Sequence, residues 1–145
     1  MIDVEVHTTI KRARPDVAGY CCDPDNVTAW CANIKAVQWD SDGPLAVGSR
    51  FRFTSEFLGR RLRYTYEVLE LIPFERLIMR SDDSQFRMET AYTFQDAPDD
   101  ATWMTVRNRG EPTAYTGLAP AILASAVRRA TSNDLARLKT TLEAC

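Results

Sequence analysis

The stretch from Leu118 to Leu142 constrains the fold more than any other, because it alone carries a helical repeat over several turns. From Leu118 to Ala130 the apolar residues Leu118, Ala119, Ile122, Leu123, Ala126, Val127 and Ala130 fall at helical spacing, which predicts one stripe facing a core. Leu135, Leu138 and Leu142 lie on a different side of the helix from Ile122 and Ala126, so the two halves are expected to face different surroundings. Between them, Thr131-Ser132-Asn133-Asp134 are weak helix formers whose side chains compete for the backbone, leaving room for a bend or a break.

Everything before this helix reads as short segments, mostly alternating. Ile2 to Ile10 places Ile2, Val4, Val6, Thr8 and Ile10 on one face, a half-buried strand whose polar face carries a solvent-exposed His7. Pro15 suits the first position of a short helix with Val17, Tyr20 and Cys21 on one side, ended by Asp23-Pro24. Asp25 or Asn26 can cap a second short helix carrying Val27, Trp30, Cys31 and Ile34. Strands are then expected over Lys35 to Asp40, Arg50 to Phe57, Leu62 to Val68, Leu77 to Ser81, Phe86 to Phe94 and Thr102 to Arg109. Gly59 marks a hairpin, and the apolar cluster Leu69, Leu71, Ile72 predicts a bulge near Glu70. The order predicts an α+β domain spanning residues 1–145. A curved antiparallel sheet of about seven strands would wrap a long C-terminal helix, with two short helices after the first strand.

Composition narrows the function classes. No apolar run approaches the roughly 20 residues that span a bilayer, and the N-terminus has neither a basic start nor a signal-peptide core, so a cytoplasmic protein is expected. Cys21, Cys22, Cys31 and Cys145 have neither a disulfide-framework pattern nor metal spacing and are expected to be reduced and packed. A net charge of -2 argues against nonspecific nucleic-acid binding. With no phosphate-binding glycine loop, metal-ligand spacing or nucleophile signature, neither metal nor cofactor is expected.

The face of the strands turned toward the helix carries Phe51, Phe53, Phe57, Tyr64, Tyr66, Phe86, Tyr92 and Phe94, more aromatic area than a tight two-layer core needs. Two readings stay open: a solid core, or a cavity lined by aromatics with a few polar groups. In the second, Phe51, Phe53, Phe57 and Phe86 would touch a ligand together with Ser55, Tyr64, Tyr66, Thr90, Tyr92 and Asn108. Trp30, Met88, Met104 and Val106 would complete the walls, with Ile122 and Ala126 on the helix side.

Several signatures in order carry a family resemblance over nearly the whole chain. They are the first strand before Arg14-Pro15-Asp16-Val17, then Asp23-Pro24-Asp25-Asn26 with Trp30, the Gly43-to-Phe51 approach to a strand, the Glu70-Leu71-Ile72-Pro73 strand end, and the closing Leu135-Ala136-Arg137-Leu138-Lys139 with Leu142-Glu143. The chain resembles the START-like helix-grip (SRPBCC) superfamily, and within it the polyketide cyclase/dehydrase and lipid-transport group. The resemblance implies a hydrophobic pocket between sheet and helix that takes lipids, sterols, polyketides or similar molecules, some members carrying them and others closing polyketide rings. The cyclases resemble each other in an arginine and hydroxyl groups inside the pocket. Here the arginines fall on the outer strand faces, and Leu62 to Val68 offers Tyr64 and Tyr66 instead.

An enzyme would have to polarise a carbonyl and move a proton. Tyr64, Tyr66 and Asn108 are the candidate catalytic groups, and no histidine or carboxylate falls on the inner strand face unless the slip near Glu70 turns Glu67 or Glu70 inward. A rival use lies outside, where Arg50, Arg52, Arg61, Arg63, Arg87, Arg107 and Arg109 could meet an acidic partner. From Arg50 to Arg109, however, ten arginines are matched by ten carboxylates. The expected partner is therefore a hydrophobic small molecule, and the sequence leaves the oligomeric state open.

Overall fold

The computed structural model describes residues 1–115 and 117–144. Its elements are β1 (Ile2–Ile10), α1 (Arg14–Cys21), α2 (Val27–Trp30), β2 (Ile34–Trp39), β3 (Arg50–Phe57), β4 (Arg60–Ile72), β5 (Arg76–Asp83), β6 (Phe86–Ala97), β7 (Ala101–Glu111) and α3 (Pro120–Glu143). The strands form one curved antiparallel sheet in the order β1-β7-β6-β5-β4-β3-β2. From β2 to β7 each strand pairs with the next, whereas β1 pairs with β7 at the opposite edge. The two short helices carry the chain from one edge to the other.

Local chemistry explains the joints. Leu58 (φ 51°) and Gly59 (φ 78°) make the two-residue connection between β3 and β4, both in the left-handed region that a tight right-twisting hairpin demands. Register slips between Val68 and Glu70, the bulge expected from the clustered apolar residues. Gly110 (φ 144°) sits where β7 meets both β1 and β6, and a β-carbon there would run into the Arg87 carbonyl. The ladders continue beyond the alternating runs, so β5, β6 and β7 are longer than expected. The first cap also differs: the Asp23 carboxylate accepts from Asp25 N–H and starts a 3-10 turn at Pro24–Asn26, while the Asn26 amide donates to the Tyr20 carbonyl.

The largest correction concerns α3, which is unbroken from Pro120 to Glu143. Its inward stripe is Leu123, Val127, Thr131, Leu135, Leu138 and Leu142, a run of i+3 and i+4 steps that passes straight through the polar segment. Thr131 and Asp134 do not compete with the local helix because their side chains are engaged elsewhere: Thr131 Oγ1 accepts from the Asn108 amide (3.3 Å) and Asp134 Oδ1 from Ala32 N–H (3.1 Å). Leu118 and Ile122 instead lie on the outer side, Ile122 60% exposed. One end of the sheet-helix space is packed solid. Phe51, Met104, Ile10, Leu135 and Leu138 are fully buried there, and α3 packs most extensively on β1.

Candidate functional site

The other end of the same space is hollow. A cavity of ≈160 Å³ lies between the sheet and the first half of α3. Strand alternation places Phe53, Ser55 and Phe57 from β3, Tyr64 and Tyr66 from β4, Phe86, Met88, Thr90 and Tyr92 from β6, and Val106 and Asn108 from β7 in its walls. Trp30 closes it from α2. Four expected residues lie elsewhere. Phe51 and Met104 point the same way but are sealed in the solid end, while Ile122 and Ala126 face an outer groove because the inward stripe of α3 is rotated away from them.

The helices and loops add to the strand residues, Leu123, Val127 and Ala130 as members of the stripe expected to face the core and the others without a signal in the strand pattern. Leu123, Val127, Ala130, Thr131 and Asp134 of α3, Cys31 and Asn33 of the α2–β2 loop, and Tyr115 from the 3-10 turn at Thr113–Tyr115 all join the lining. Tyr115 is fixed by donating to the Phe57 carbonyl (2.9 Å). The signal for Thr131 was present in the sequence: it falls four residues after Val127 and four before Leu135.

Inside, the polar groups are mostly committed to one another. The Thr90 hydroxyl donates to Asn108 Oδ1 (2.7 Å), so Tyr66, 2.7 Å from Thr90 Oγ1, donates to Thr90. Asn108 Nδ2 in turn donates to Thr131, and the chain Tyr66–Thr90–Asn108–Thr131 ties β4, β6, β7 and α3 together. Two of the expected catalytic residues, Tyr66 and Asn108, thus belong to this chain, while the third, Tyr64, faces Ser55. Burial pushes the Tyr64 and Tyr92 hydroxyls well above the ordinary tyrosine range, Ser55 partly opposing the rise at Tyr64, and it pushes Tyr66 up to about 12. The interior is therefore neutral at physiological pH. Cys31 is no exception, since burial, reinforced by Asp134, keeps its thiol protonated.

One group is left over: the Trp30 indole N–H is the one buried side-chain polar atom among the described residues without a hydrogen-bond partner. Its ring neighbours that of Tyr92, with centroids 5.6 Å apart.

A charged latch stands at the mouth. Asp134 Oδ1 accepts from both Ala32 N–H and Arg137 Nη1, and Arg137 also donates to the Trp30 carbonyl (2.8 Å), so two α3 side chains hold the α2–β2 loop. Burial raises the Asp134 carboxyl above the usual aspartate value, against the lowering effect of Ala32 N–H and Arg137. Beyond the latch runs an open groove of ≈640 Å³ whose walls include Asn33, Phe57, Ala130 and Asp134, the same residues that bound the cavity. Leu58 and Ile122, both exposed, line it, and Leu58 does so from a backbone conformation that costs a leucine strain.

Size decides what can enter. At ≈160 Å³ the cavity matches the roughly 150 Å³ that holds one benzene-sized ring and falls short of the roughly 300–1,000 Å³ of pockets for drug-sized ligands. One ring or a short chain fits inside; the remainder of a longer molecule would lie in the groove.

The outer sheet face is charge-balanced in place. Arg50–Glu67, Arg52–Asp40, Arg61–Glu56, Arg107–Asp3 and Arg109–Glu89 are ion pairs, leaving few of the described arginines free for an acidic partner. Among the described residues no cluster of potential metal ligands occurs and no helix is long and apolar enough to cross a membrane.

A family model described as polyketide cyclase / dehydrase and lipid transport matches residues 1–143. No curated protein matches the sequence. Among solved structures, a protein of Thermus thermophilus superposes with a TM-score of 0.79 at 15% identity, over 95% of this chain and 94% of that one. The ZhuI aromatase/cyclase of Streptomyces sp. R1128 does so with a TM-score of 0.77 at 16% identity, over 97% and 93%. An AHSA1-like protein of Aeromonas hydrophila gives 0.67 at 21% identity, over 99% and 93%. At such identities the likeness establishes the helix-grip fold and nothing finer.

Proposed function

This chain belongs to the polyketide cyclase/dehydrase and lipid-transport family, and on that premise we propose that it binds a hydrophobic small molecule between the curved sheet and α3. The observation that carries this reading is the neutrality of an apolar cavity of ≈160 Å³, whose only carboxylate among the described lining residues is Asp134 at the mouth. Burying an apolar ligand surface there gains roughly 25 cal/mol per Å², and the neutral hydroxyls set its orientation. Native mass spectrometry of the purified protein against its denatured mass tests the reading. A co-purified apolar molecule, or uptake of a one-ring or short-chain compound in fluorescence displacement, is expected. Failure of every fatty acid, sterol and aromatic compound to bind would overturn it.

A second reading, turnover of the bound molecule by a cyclase or dehydratase, is favoured by the same carboxylate. Asp134 has a raised proton affinity and stands where the cavity opens, which suits an acid-base group, while Tyr64 offers a neutral hydroxyl to a carbonyl. Asp134→Asn and Tyr64→Phe should then abolish turnover of a bound β-ketone with binding retained; full activity in both variants would remove this reading.

A further inference from the structure

Away from the cavity and its mouth, a groove of ≈390 Å³ runs between α1, the end of β2 and the β4–β5 turn, sharing no described lining residue with either. Its walls are mainly apolar, with Trp39, Pro44, Leu45, Leu71, Pro73 and Phe74 among them. Phe74 is 49% exposed and holds φ 63°, a left-handed backbone that a bulky residue avoids and an asparagine takes more readily. Arg14 pins this turn by donating to the Phe74 carbonyl (3.1 Å). Val47 and Ile72, next along the segments that supply Leu45 and Leu71, are exposed as well. The fold gains little from a phenylalanine held out in a conformation that suits a smaller residue.

The charge around this groove is one-sided. Its lining residues and their immediate neighbours in sequence include the carboxylates Asp23, Asp25, Asp40, Asp42, Glu70 and Glu75, and no lysine or arginine. Arg52, Arg76 and Arg14 pair with Asp40, Glu70 and Glu75. Asp23, Asp25 and Asp42 have no ion pair among the described residues; Asp23 accepts only from Asp25 N–H, and Asp25 from the Trp39 indole N–H. The rim thus differs from the outer sheet face, where arginines and carboxylates balance.

The groove also adjoins an open sheet edge, since β2 is the last strand of the sheet. Asp40 N–H donates to the Arg50 carbonyl, so by the alternation of an antiparallel ladder Val37 and Trp39 turn their backbone groups away from β3. Trp39 therefore offers its backbone to an added strand and its ring to the groove. A chain added there gains main-chain hydrogen bonds from the edge and selectivity from the groove that receives its alternate side chains.

We propose that this edge and groove dock an extended, basic segment of a partner protein. Its backbone pairs with Val37 and Trp39, an apolar side chain lies in the groove against Phe74, and its lysines or arginines meet Asp23 and Asp42. A second copy of this chain does not fit, because joining β2 to β2 would bring Asp25, Asp40 and Asp42 of two molecules together. The proposal is independent of what the cavity binds.

A short peptide alternating lysine and leucine, titrated into isotope-labelled protein and followed by backbone amide chemical shifts, tests it. Shifts are expected at Val37, Trp39, Gly43 and Phe74, and none with the peptide that carries glutamate in place of lysine. Phe74→Asn should leave thermal stability unchanged or higher and weaken the lysine–leucine peptide about tenfold, the size expected for the loss of one buried apolar side chain. Asp42→Lys should weaken it about fivefold and flatten its dependence on salt. Equal binding of the glutamate peptide, shifts confined to other surfaces, or no shift at β2 would overturn the proposal. So would shifts at Val37 and Trp39 that grow with protein concentration in the absence of peptide, which would make a second copy the occupant.

Discussion

The two ends of the space beneath the sheet receive similar aromatic side chains from the strands and yet one is solid and the other hollow. At the solid end Phe51, Phe94 and Met104 meet Leu135 and Leu138, which reach into the gap and fill it. At the hollow end Tyr64, Tyr66, Phe86 and Tyr92 face Val127, Ala130 and Thr131, shorter side chains than those leucines, with Leu123 the one leucine among the described lining residues of α3. The sheet thus supplies a uniform aromatic surface, and the side-chain length along one face of α3 decides where space remains. Polarity follows the same division, because the hydroxyls that need partners are gathered where the packing is loose.

Truncation at matched helix positions should divide the two ends most sharply. Leu138→Ala should cost roughly 2–5 kcal/mol in denaturant unfolding, since nothing can collapse into the gap. Leu123→Ala, bordering space that is already empty, should cost about 2 kcal/mol or less. Equal losses would mean the hollow end is not hollow in solution. Enlargement should give the mirror image. Val17→Leu, added to the packed end, should destabilise by about 1–3 kcal/mol, whereas Ala130→Leu should be close to neutral and should abolish uptake of a one-ring ligand. Within the polar chain, Thr90→Val strands the Tyr66 hydroxyl and the Asn108 oxygen and should cost about 1–2 kcal/mol, measured by thermal unfolding.

The smallest effect sharpens the contrast electrostatically. Glu143, toward the solid end, is held below its usual value by Lys139 first and then by Lys11 N–H, so its contribution is present above the ordinary glutamate range and lost as pH falls through its lowered value. Asp134 has the opposite sign. Its raised carboxyl makes the fold favour the protonated form, so stability from this group declines as pH rises from the ordinary aspartate value through the raised one. Glu143→Gln and Asp134→Asn should therefore change the acid-range slope of stability in opposite directions; a shared direction would contradict the assigned environments.

Strand faces were legible because alternation is a local property, and most of the cavity's sheet residues followed from it. The stripe of α3 was misread for a physical reason. Hydrophobic periodicity counts Leu118, Ile122 and Ala126 as inward beside Leu123, Val127 and Ala130, which do face the cavity, and treats Thr131 and Asp134 as helix breakers, although the i+4 ladder from Leu123 to Leu135 passes through Thr131. A polar residue on an inward face is invisible to a hydrophobicity count until its partner is known, and Asn108 and Ala32 are remote in sequence. Nor does alternation tell Phe51 from Phe53, one sealed and the other lining the cavity, because that depends on which α3 residue lies opposite.

The pairing of β1 with β7 sets Ile2 opposite Gly110, so the first strand made waits for the last. During synthesis the meander from β2 to β7 can zip up progressively, but Ile2, Val4 and Ile10 have no ladder partner until β7 has left the ribosome and no helical cover until α3 follows. Closure across so long a loop is slow in two-state folding, and a strand with an open edge is prone to pair with another chain meanwhile. The same topology that encloses the cavity ties it to the strand pairing most remote in sequence, and β1 has an open edge until β7 pairs with it.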